Sequence, residues 1–392
     1  MAALLRYSTT PSRNTPASCS RPSQEQRHRE WVPVSDKLFV TAIEPRGTGA
    51  HPQAWRRQDS RAEEVFTAAF WIEQLRAADQ AGIDLVFLAD SFASRTLEAV
   101  AVAARAAALT ERIGLIPTVT VTHTEPFHIS KQIASLDFAS HGRAGWQVEV
   151  SGGAEQAALF GRKGEQDEES LWQEADEGIE VVARLWDSWE DDAEIRDAAT
   201  GRFVDRDKLH YIDFQGEHFS VKGPSITPRS PQGQPLVTVR AHSAESTAVA
   251  AARADIVRIA ADSIEGAAAL AAHVRRAVVA EGRDPVDVFV LLDVETLVSE
   301  TAAEELAQLD NWAGRVRTPQ SLQYVGDVAG LNLLLGAAES AGLDGVTLVP
   351  LALPSGVKTL PATDSRTGAT VRERLGLARP TNRFAAPGRN SR

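Results

Sequence analysis

The sequence predicts an α/β protein built as a (β/α)8 barrel of the TIM-barrel type, with insertions. From residue 38 onward, short apolar runs alternate with longer helical stretches, the pattern of repeated βα units around a parallel sheet. Eight runs have the length and composition of buried strands: 38–43, 85–89, 113–118, 145–150, 236–239, 255–259, 286–292 and 345–348. Eight strands with helical stretches between them favour a closed barrel over a six-stranded open sheet.

Helical patterns occupy the stretches between these runs. Ala-rich amphipathic segments at 67–81, 96–110 and 243–253 predict helices that pack on the outside of the barrel. The apolar run at 318–342 also predicts a helix. Residues 371–383 predict a short helix followed by a Pro-containing tail.

Two segments stand apart from the repeat. Residues 1–36 are rich in Ser, Pro and Arg and too poor in apolar side chains to form a core, so they predict a disordered tail. At about 190–233, charged and aromatic residues are followed by several Gly and Pro, which indicates an insertion of the kind that often covers a site. The predicted organisation is a tail over 1–36 and a barrel over 37–392 that carries this insertion.

Composition excludes several classes of protein. Hydrophobic residues at 43% and charged residues at 24% are ordinary for a soluble globular chain, and no apolar run is long enough to span a bilayer. A net charge of -12 disfavours a nucleic-acid partner, because phosphate binding needs clustered Lys and Arg. The lone cysteine, Cys19, fits a reducing compartment, so we expect a cytoplasmic protein without membrane or nucleic-acid partners.

Polar side chains gather where predicted strands end, which is the reactive end of a parallel barrel. They follow the second, third and fourth strands: Asp90, Ser91, Thr118, Thr120, Thr122, His123, Thr124, His128 and Ser151. In an extended stretch the alternating threonines line one face, where their hydroxyls could bond the edge of a planar heteroaromatic ligand. Alternating threonine is also often a plain polar strand face, so both interpretations stay open.

The same region excludes several kinds of chemistry. His123 and His128 lie five positions apart in a loop with no obvious third ligand, so no metal site is expected. The sequence contains no nucleotide-binding P-loop, serine nucleophile elbow or dinucleotide fingerprint. Hydroxyls, a carboxylate and histidines without a nucleophile are typical of a cavity in which a bound cofactor carries out the chemistry.

Six blocks of sequence resemble one family of enzymes. They are FLADS (87–91), LTERIGL (109–115), TEPFHISKQIASLDFASHGRAGW (124–146), LWDSWEDDA (185–193), HYIDFQGEHFSVKGPSITPRSPQGQP (210–235) and VRERLGLARPTNR (371–383). Together they resemble the nitrilotriacetate, pristinamycin and dibenzothiophene-sulfone monooxygenase group of the bacterial luciferase-like flavin-dependent monooxygenases. The resemblance covers about 38–383 and agrees with the predicted barrel.

The resemblance implies a homodimeric oxidoreductase of the two-component type. A separate NAD(P)H:flavin reductase supplies reduced FMN, and one oxygen atom of O2 enters a small organic substrate. The residues implied at the flavin ring are Asp90, Thr118, Thr120 and Gln147. Those implied beside the phosphate are Trp172, Arg240 and Ser243, and Ser151 is also expected to bind the cofactor. His123 or His128 is implied in proton transfer or substrate orientation.

The sequence departs from the family pattern in both halves of this site. Gln147 replaces the customary Asn, and Glu149 adds a carboxylate that would repel an anionic reduced flavin unless it is protonated or turned away. At the phosphate, LW at 171–172 replaces the usual RY, and RAHSA at 240–244 replaces QAGSS. His242 therefore puts a side chain where the family has glycine, and Arg240 is the cation that could compensate.

Three functions are compatible with these observations. The first is an FMNH2-dependent two-component monooxygenase. The clustered changes at the phosphate side motivate the second, a flavin-site-degenerate paralogue that acts as a non-catalytic binding or partner subunit. The third is an F420-dependent oxidoreductase on the same barrel.

Overall fold

The protein is described here by a computed structural model, which covers residues 38–353 and 367–385. The tail predicted at 1–36 lies outside these residues. The strands are β1 (Val40–Ile43), β2 (Leu85–Leu88), β3 (Gly114–Thr120), β4 (Gly145–Glu149), β5 (Glu194–Asp197), β6 (Arg202–Val204), β7 (Phe214–Gln215), β8 (Ser220–Val221), β9 (Leu236–Ala241), β10 (Ile256–Ile259), β11 (Phe289–Val298), β12 (Leu322–Gly326) and β13 (Gly345–Pro350).

The helices alternate with these strands. They are α1 (Ala68–Gln80), α2 (Ala99–Ala107), α3 (Pro126–Ala139), α4 (Ala154–Phe160), α5 (Glu168–Asp187), α6 (Ala244–Arg253), α7 (Ile264–Ala280), α8 (Ala302–Ala313), α9 (Val328–Ser340) and α10 (Val371–Arg374). None of the described helices is long and apolar enough to cross a membrane. Side chains of Thr67, Glu98 and Ser243 cap the first turns of α1, α2 and α6, which explains why these helices begin inside the predicted stretches.

Eight parallel strands close into a barrel. The main sheet runs β10-β9-β4-β3-β2-β1-β13-β11-β12, and a further pairing of β10 with β11 closes the ring. Each of the eight predicted strands overlaps one strand of this ring, so the predicted (β/α)8 barrel is confirmed. Between α5 and β9, at the predicted insertion, the chain forms two antiparallel hairpins, β5–β6 and β7–β8, outside the barrel sheet.

The helix predicted over 318–342 is wrong in its first part, where the chain forms β12. This strand pairs with the second half of β11, beyond the part of β11 that pairs with β10. The loop before β12 is held by Arg317, whose guanidinium pairs with the carboxylate of Glu295 in β11. A strand of only five residues, LQYVG, cannot be distinguished from the start of a helix by periodicity alone, because its pairing partner lies elsewhere in the chain.

The lower half of the barrel interior is apolar. Side chains from six barrel strands meet there, and α10 adds Val371 from below, followed by Leu375 and Leu377. Because alternate residues of a strand face the same side, each strand sends every second residue into this interior. The N-terminal end of the barrel is therefore filled by packed hydrocarbon, and the polar site lies at the other end.

Buried polar contacts fasten α10 to the barrel. The guanidinium of Arg372 donates two hydrogen bonds to the Asp255 carboxylate, at 2.9 and 2.8 Å, and a third to the Gln234 carbonyl at 3.2 Å. Nearby, the Gln232 amide donates to Asp137 at 2.6 Å and to the Ala144 carbonyl at 2.7 Å. These contacts join sequence blocks that lie far apart in the chain.

We expect Arg372→Ala to lower the free energy of unfolding by about 3 kcal/mol, because it removes a buried guanidinium and its two hydrogen bonds to the partly buried Asp255 carboxylate. Arg276→Ala is the matched control, since Arg276 is exposed on α7. Urea denaturation followed by circular dichroism measures both variants. Equal stability of the two variants would contradict the role given to Arg372 in attaching α10 to the N-terminal end of the barrel.

Candidate active site

The upper half of the barrel interior is polar and charged. On each strand, the residue two positions beyond the apolar lower half faces the same interior. These residues include Glu44, Thr118, Gln147, Arg258 and Asp293, all of them buried. The carboxyl ends of parallel strands meet at one end of a barrel, so these side chains lie together there. The ends of β3 and β4 add Thr120 and Glu149 to this polar end of the barrel, which we call the mouth.

A network of buried ions joins β1, β9, β10 and β11. Arg258 has no exposed side-chain surface; its guanidinium donates to Asp293 at 2.8 Å and also binds the Glu44 carboxylate. Arg240 donates to the other side of this network, with 2.9 Å to Glu44 Oε2. Its remaining nitrogens lie 3.5 Å from Asp293 Oδ2 and 3.9 Å from Glu149 Oε2.

The charges in this network set one another's ionisation. Burial by itself would raise the pKa of Glu44, but the guanidinium groups of Arg258, Arg240 and Arg46 hold that pKa well below its usual range. Burial raises the pKa of Glu149, and the attraction of Arg240 offsets only part of this effect. Glu149 therefore takes up a proton more readily than Glu44 does.

Two adjoining clefts open beside this network at the end of β2. The smaller, of about 160 Å3, is lined by Asp90, Thr118, Thr120 and His128 among others. Asp90 accepts a hydrogen bond from the Ala99 amide at 2.9 Å, yet burial still raises the pKa of its carboxyl. The structure thus brings together the ring-side residues that lie on β2 and β3.

The two predicted catalytic histidines have different surroundings. The His128 side chain is exposed and lines the smaller cleft. The His123 ring stacks on Phe160 with 4.6 Å between centroids, and neither ring nitrogen has a partner among the described residues. Burial, together with the positive charge of Lys163, lowers the pKa of His123. His123 is therefore mainly neutral near pH 7, whereas His128 is free to meet a ligand.

Several buried donors at this end of the barrel have no partner among the residues described. They are the Thr120 and Ser151 hydroxyls and the Trp172 indole N–H. All three side chains are less than one tenth exposed, so water does not satisfy them easily. Trp172 lies edge-on to His242, with ring centroids 5.7 Å apart, which brings α5 against the turn after β9.

The turn after β9 is already satisfied by its own side chains. Ser243 and Ser246 form a reciprocal capping box, and the amide of His242 also donates to the Ser246 hydroxyl at 3.0 Å. The amides of His242, Ser243 and Ser246 are thus occupied by side-chain hydroxyls of the turn itself. Arg240 points into the ionic network instead, through its contacts with Glu44 and Asp293.

Sequence reasoning missed Glu44, Arg258 and Asp293. A usable signal was present, because Glu44 and Asp293 directly follow predicted strands and Arg258 stands between apolar residues inside another. A charged residue within a buried strand needs a partner, and that requirement identifies it as part of a polar interior. In the described part of the chain, no group of three His, Cys, Asp or Glu side chains could hold a metal ion.

Comparisons with known proteins agree with this architecture. The chain is 29% identical to N-acetyl-S-(2-succino)cysteine monooxygenase of Bacillus subtilis (strain 168), over 86% of this chain and 96% of the relative. It is 33% identical to nitrilotriacetate monooxygenase component A of Aminobacter aminovorans, over 72% of this chain and 67% of the relative. The crystal structure of long-chain alkane monooxygenase superposes with a TM-score of 0.80 at 21% identity, covering 87% of this chain and 96% of that structure.

The family model for the luciferase-like monooxygenases matches residues 47–331, which is most of the chain. This match confirms the resemblance carried by the six sequence blocks. On the barrel, the polar mouth and these comparisons together, the chain belongs to the luciferase-like monooxygenase family.

Proposed function

We propose that the protein is a two-component monooxygenase that uses reduced FMN and O2 to oxygenate a small organic substrate. The observation that carries this proposal is the set of unpartnered buried donors at Thr120, Ser151 and Trp172. A buried donor without a partner costs about 1–3 kcal/mol, so three at one end of the barrel favour a ligand that supplies acceptors. They lie on the elements that the family resemblance assigns to the flavin.

Some of the residues expected to bind the flavin have groups free to contact it, and others are already engaged within the protein. Thr118 and Thr120 face the smaller cleft together with Asp90, and Gln147 is buried beside Arg258. We assign these four to the ring. Ser151 and Trp172 provide free donors for the phosphate, whereas Ser243 is engaged in its capping box and Arg240 in ion pairs. We therefore assign the phosphate mainly to Ser151 and Trp172.

When bound, reduced FMN supplies the two electrons with which one atom of O2 enters the substrate while the other leaves as water. The chain's own contribution is to orient ligands and to place protons. Burial raises the pKa of the Asp90 and Glu149 carboxyls, which makes protonation of either group beside an anionic ring easier than for an exposed carboxyl. We assign substrate orientation or proton transfer to exposed His128 and to neutral His123.

Three further assignments rest on the relatives and the sequence. A relative named as component A of its enzyme supports a separate NAD(P)H:flavin reductase as partner. We also infer a homodimer, and a cytoplasmic location because the sequence has a single cysteine. The names of the relatives point to different substrates, so family membership does not define the substrate of this chain.

The proposal is tested by anaerobic titration of the purified protein with reduced FMN, oxidised FMN and reduced F420. We expect reduced FMN to bind most tightly. With a flavin reductase and isotopically labelled O2, one labelled oxygen atom should then appear in a substrate. Preference for F420 would favour the deazaflavin oxidoreductase, and binding of none of the three would favour the non-catalytic paralogue.

The assignment of Trp172 to the phosphate predicts a selective loss in Trp172→Phe. This change removes the indole N–H and keeps an aromatic ring, so we expect reduced FMN to bind about tenfold more weakly, as for one hydrogen bond to a charged group. Riboflavin, which has no phosphate, is the matched control ligand and should bind as before. An equal loss of affinity for both ligands would show that Trp172 does not contact the phosphate.

The raised pKa of Glu149 predicts a pH dependence of flavin binding. Below that pKa the carboxyl is neutral; above it the carboxylate repels the anionic reduced flavin, so affinity should fall as pH rises through this pKa, which burial places above the ordinary value of a glutamate. Glu149→Gln should remove most of this fall. Glu265→Gln, an exposed carboxyl on α7, should behave as the unchanged protein does. If the affinity for reduced FMN falls with pH in the same way in all three proteins, Glu149 does not lie near the flavin ring.

A further inference from the structure

The larger of the two clefts lies between the loops that follow β1 and β2, and it has a volume of about 470 Å3. We call it the β1–β2 cleft; its lining includes Arg46, Trp55, Trp71, Asp90 and Arg95. Asp90 and Ser91 line both this cleft and the smaller one. A molecule in the β1–β2 cleft would therefore adjoin the position that we assign to the flavin ring.

The charge of this cleft is opposite to that of the chain. Two guanidinium groups, Arg46 and Arg95, face it, and Asp90 is the carboxyl in its lining. Arg46 is held in place by the Glu44 carboxylate of the buried network. Arg95 is exposed and has no ion-pair partner among the residues that the structure describes. In a chain with a net charge of -12, such a cleft attracts small anions.

The same cleft also presents apolar surface. Trp71 forms a buried wall, because its indole N–H donates to the Val65 carbonyl at 2.8 Å and fixes the ring. Trp55 lies on the lining with more than half of its side chain exposed. An exposed aromatic ring and an unpaired guanidinium in the lining of one cleft are suited to a ligand that has both an apolar part and an anionic group.

We infer that the β1–β2 cleft binds the substrate and that this substrate is a small organic acid. Its carboxylate pairs with Arg95, supported by Arg46, and its apolar part lies against Trp55. A guanidinium fork matches the two oxygens of a carboxylate, which explains the choice of anion. The identification of this ligand as the substrate rests on the proposed monooxygenase function, whereas the binding itself does not require flavin.

The test is saturation-transfer NMR on the full chain without flavin, using phenylacetate, succinate and tricarballylate, each beside its methyl ester. We expect at least one acid to bind at least about fivefold more tightly than its ester. Arg95→Gln should reduce that acid to the level of the ester, and Arg276→Gln, an exposed arginine on α7, should leave it unchanged. Trp55→Ala should weaken phenylacetate more than succinate.

Two results would overturn the inference: esters that bind as well as the acids, or acid binding that survives Arg95→Gln. The outcome is independent of the flavin titration. Selective acid binding without flavin binding would retain the acid site and reject the proposed monooxygenase. Flavin binding without selective binding of an acid would retain the proposed monooxygenase and reject the acid site.

Discussion

The pairing of Arg258 with Glu44 and Asp293 inside the barrel is the constraint on which the mouth of the barrel depends. A guanidinium with no exposed surface is tolerated only if carboxylates meet it with good geometry, since an unpaired buried charge costs several kcal/mol. Glu44 in turn holds Arg240 and Arg46, so the ends of β1, β9, β10 and β11 are joined by ion pairs as well as by backbone hydrogen bonds. The network also reaches β4, because Gln147 Oε1 lies 3.5 Å from the Arg258 guanidinium.

The network also relates two departures from the family pattern that look independent in the sequence. Arg240 and Glu149 stand more than 90 positions apart, and their side chains approach within 3.9 Å at the barrel mouth. Sequence spacing does not reveal this approach, because it arises from the pairing of β4 with β9. An additional carboxylate and an additional cation thus accompany each other, which limits the repulsion that Glu149 alone would exert on an anionic ligand.

The sequence was sufficient to predict the barrel and insufficient to predict the use of its interior. All eight barrel strands follow from apolar runs and spacing, since hydrocarbon burial dictates those patterns. Three of the blocks that carry the family resemblance hold the N-terminal end of the barrel together. Asp137, Gln232 and Arg372 come from these blocks and are joined there by hydrogen bonds. They therefore establish the fold. The chemistry depends on strand-end residues such as Glu44 and Asp293, whose partners become visible only in three dimensions.

The position of α10 has a consequence for the order in which the molecule can assemble. Val371, Leu375 and Leu377 complete the apolar interior of the barrel, and the Val371 amide bonds the Gly142 carbonyl more than 200 positions away. During synthesis all eight barrel strands emerge before this helix does. The ring can pair early, but the apolar side chains at its base lack the cover of Val371, Leu375 and Leu377 until that segment is made, so this contact forms as a long-range one. A nascent barrel of this kind spends that interval with its base exposed, which is when it most needs protection from aggregation.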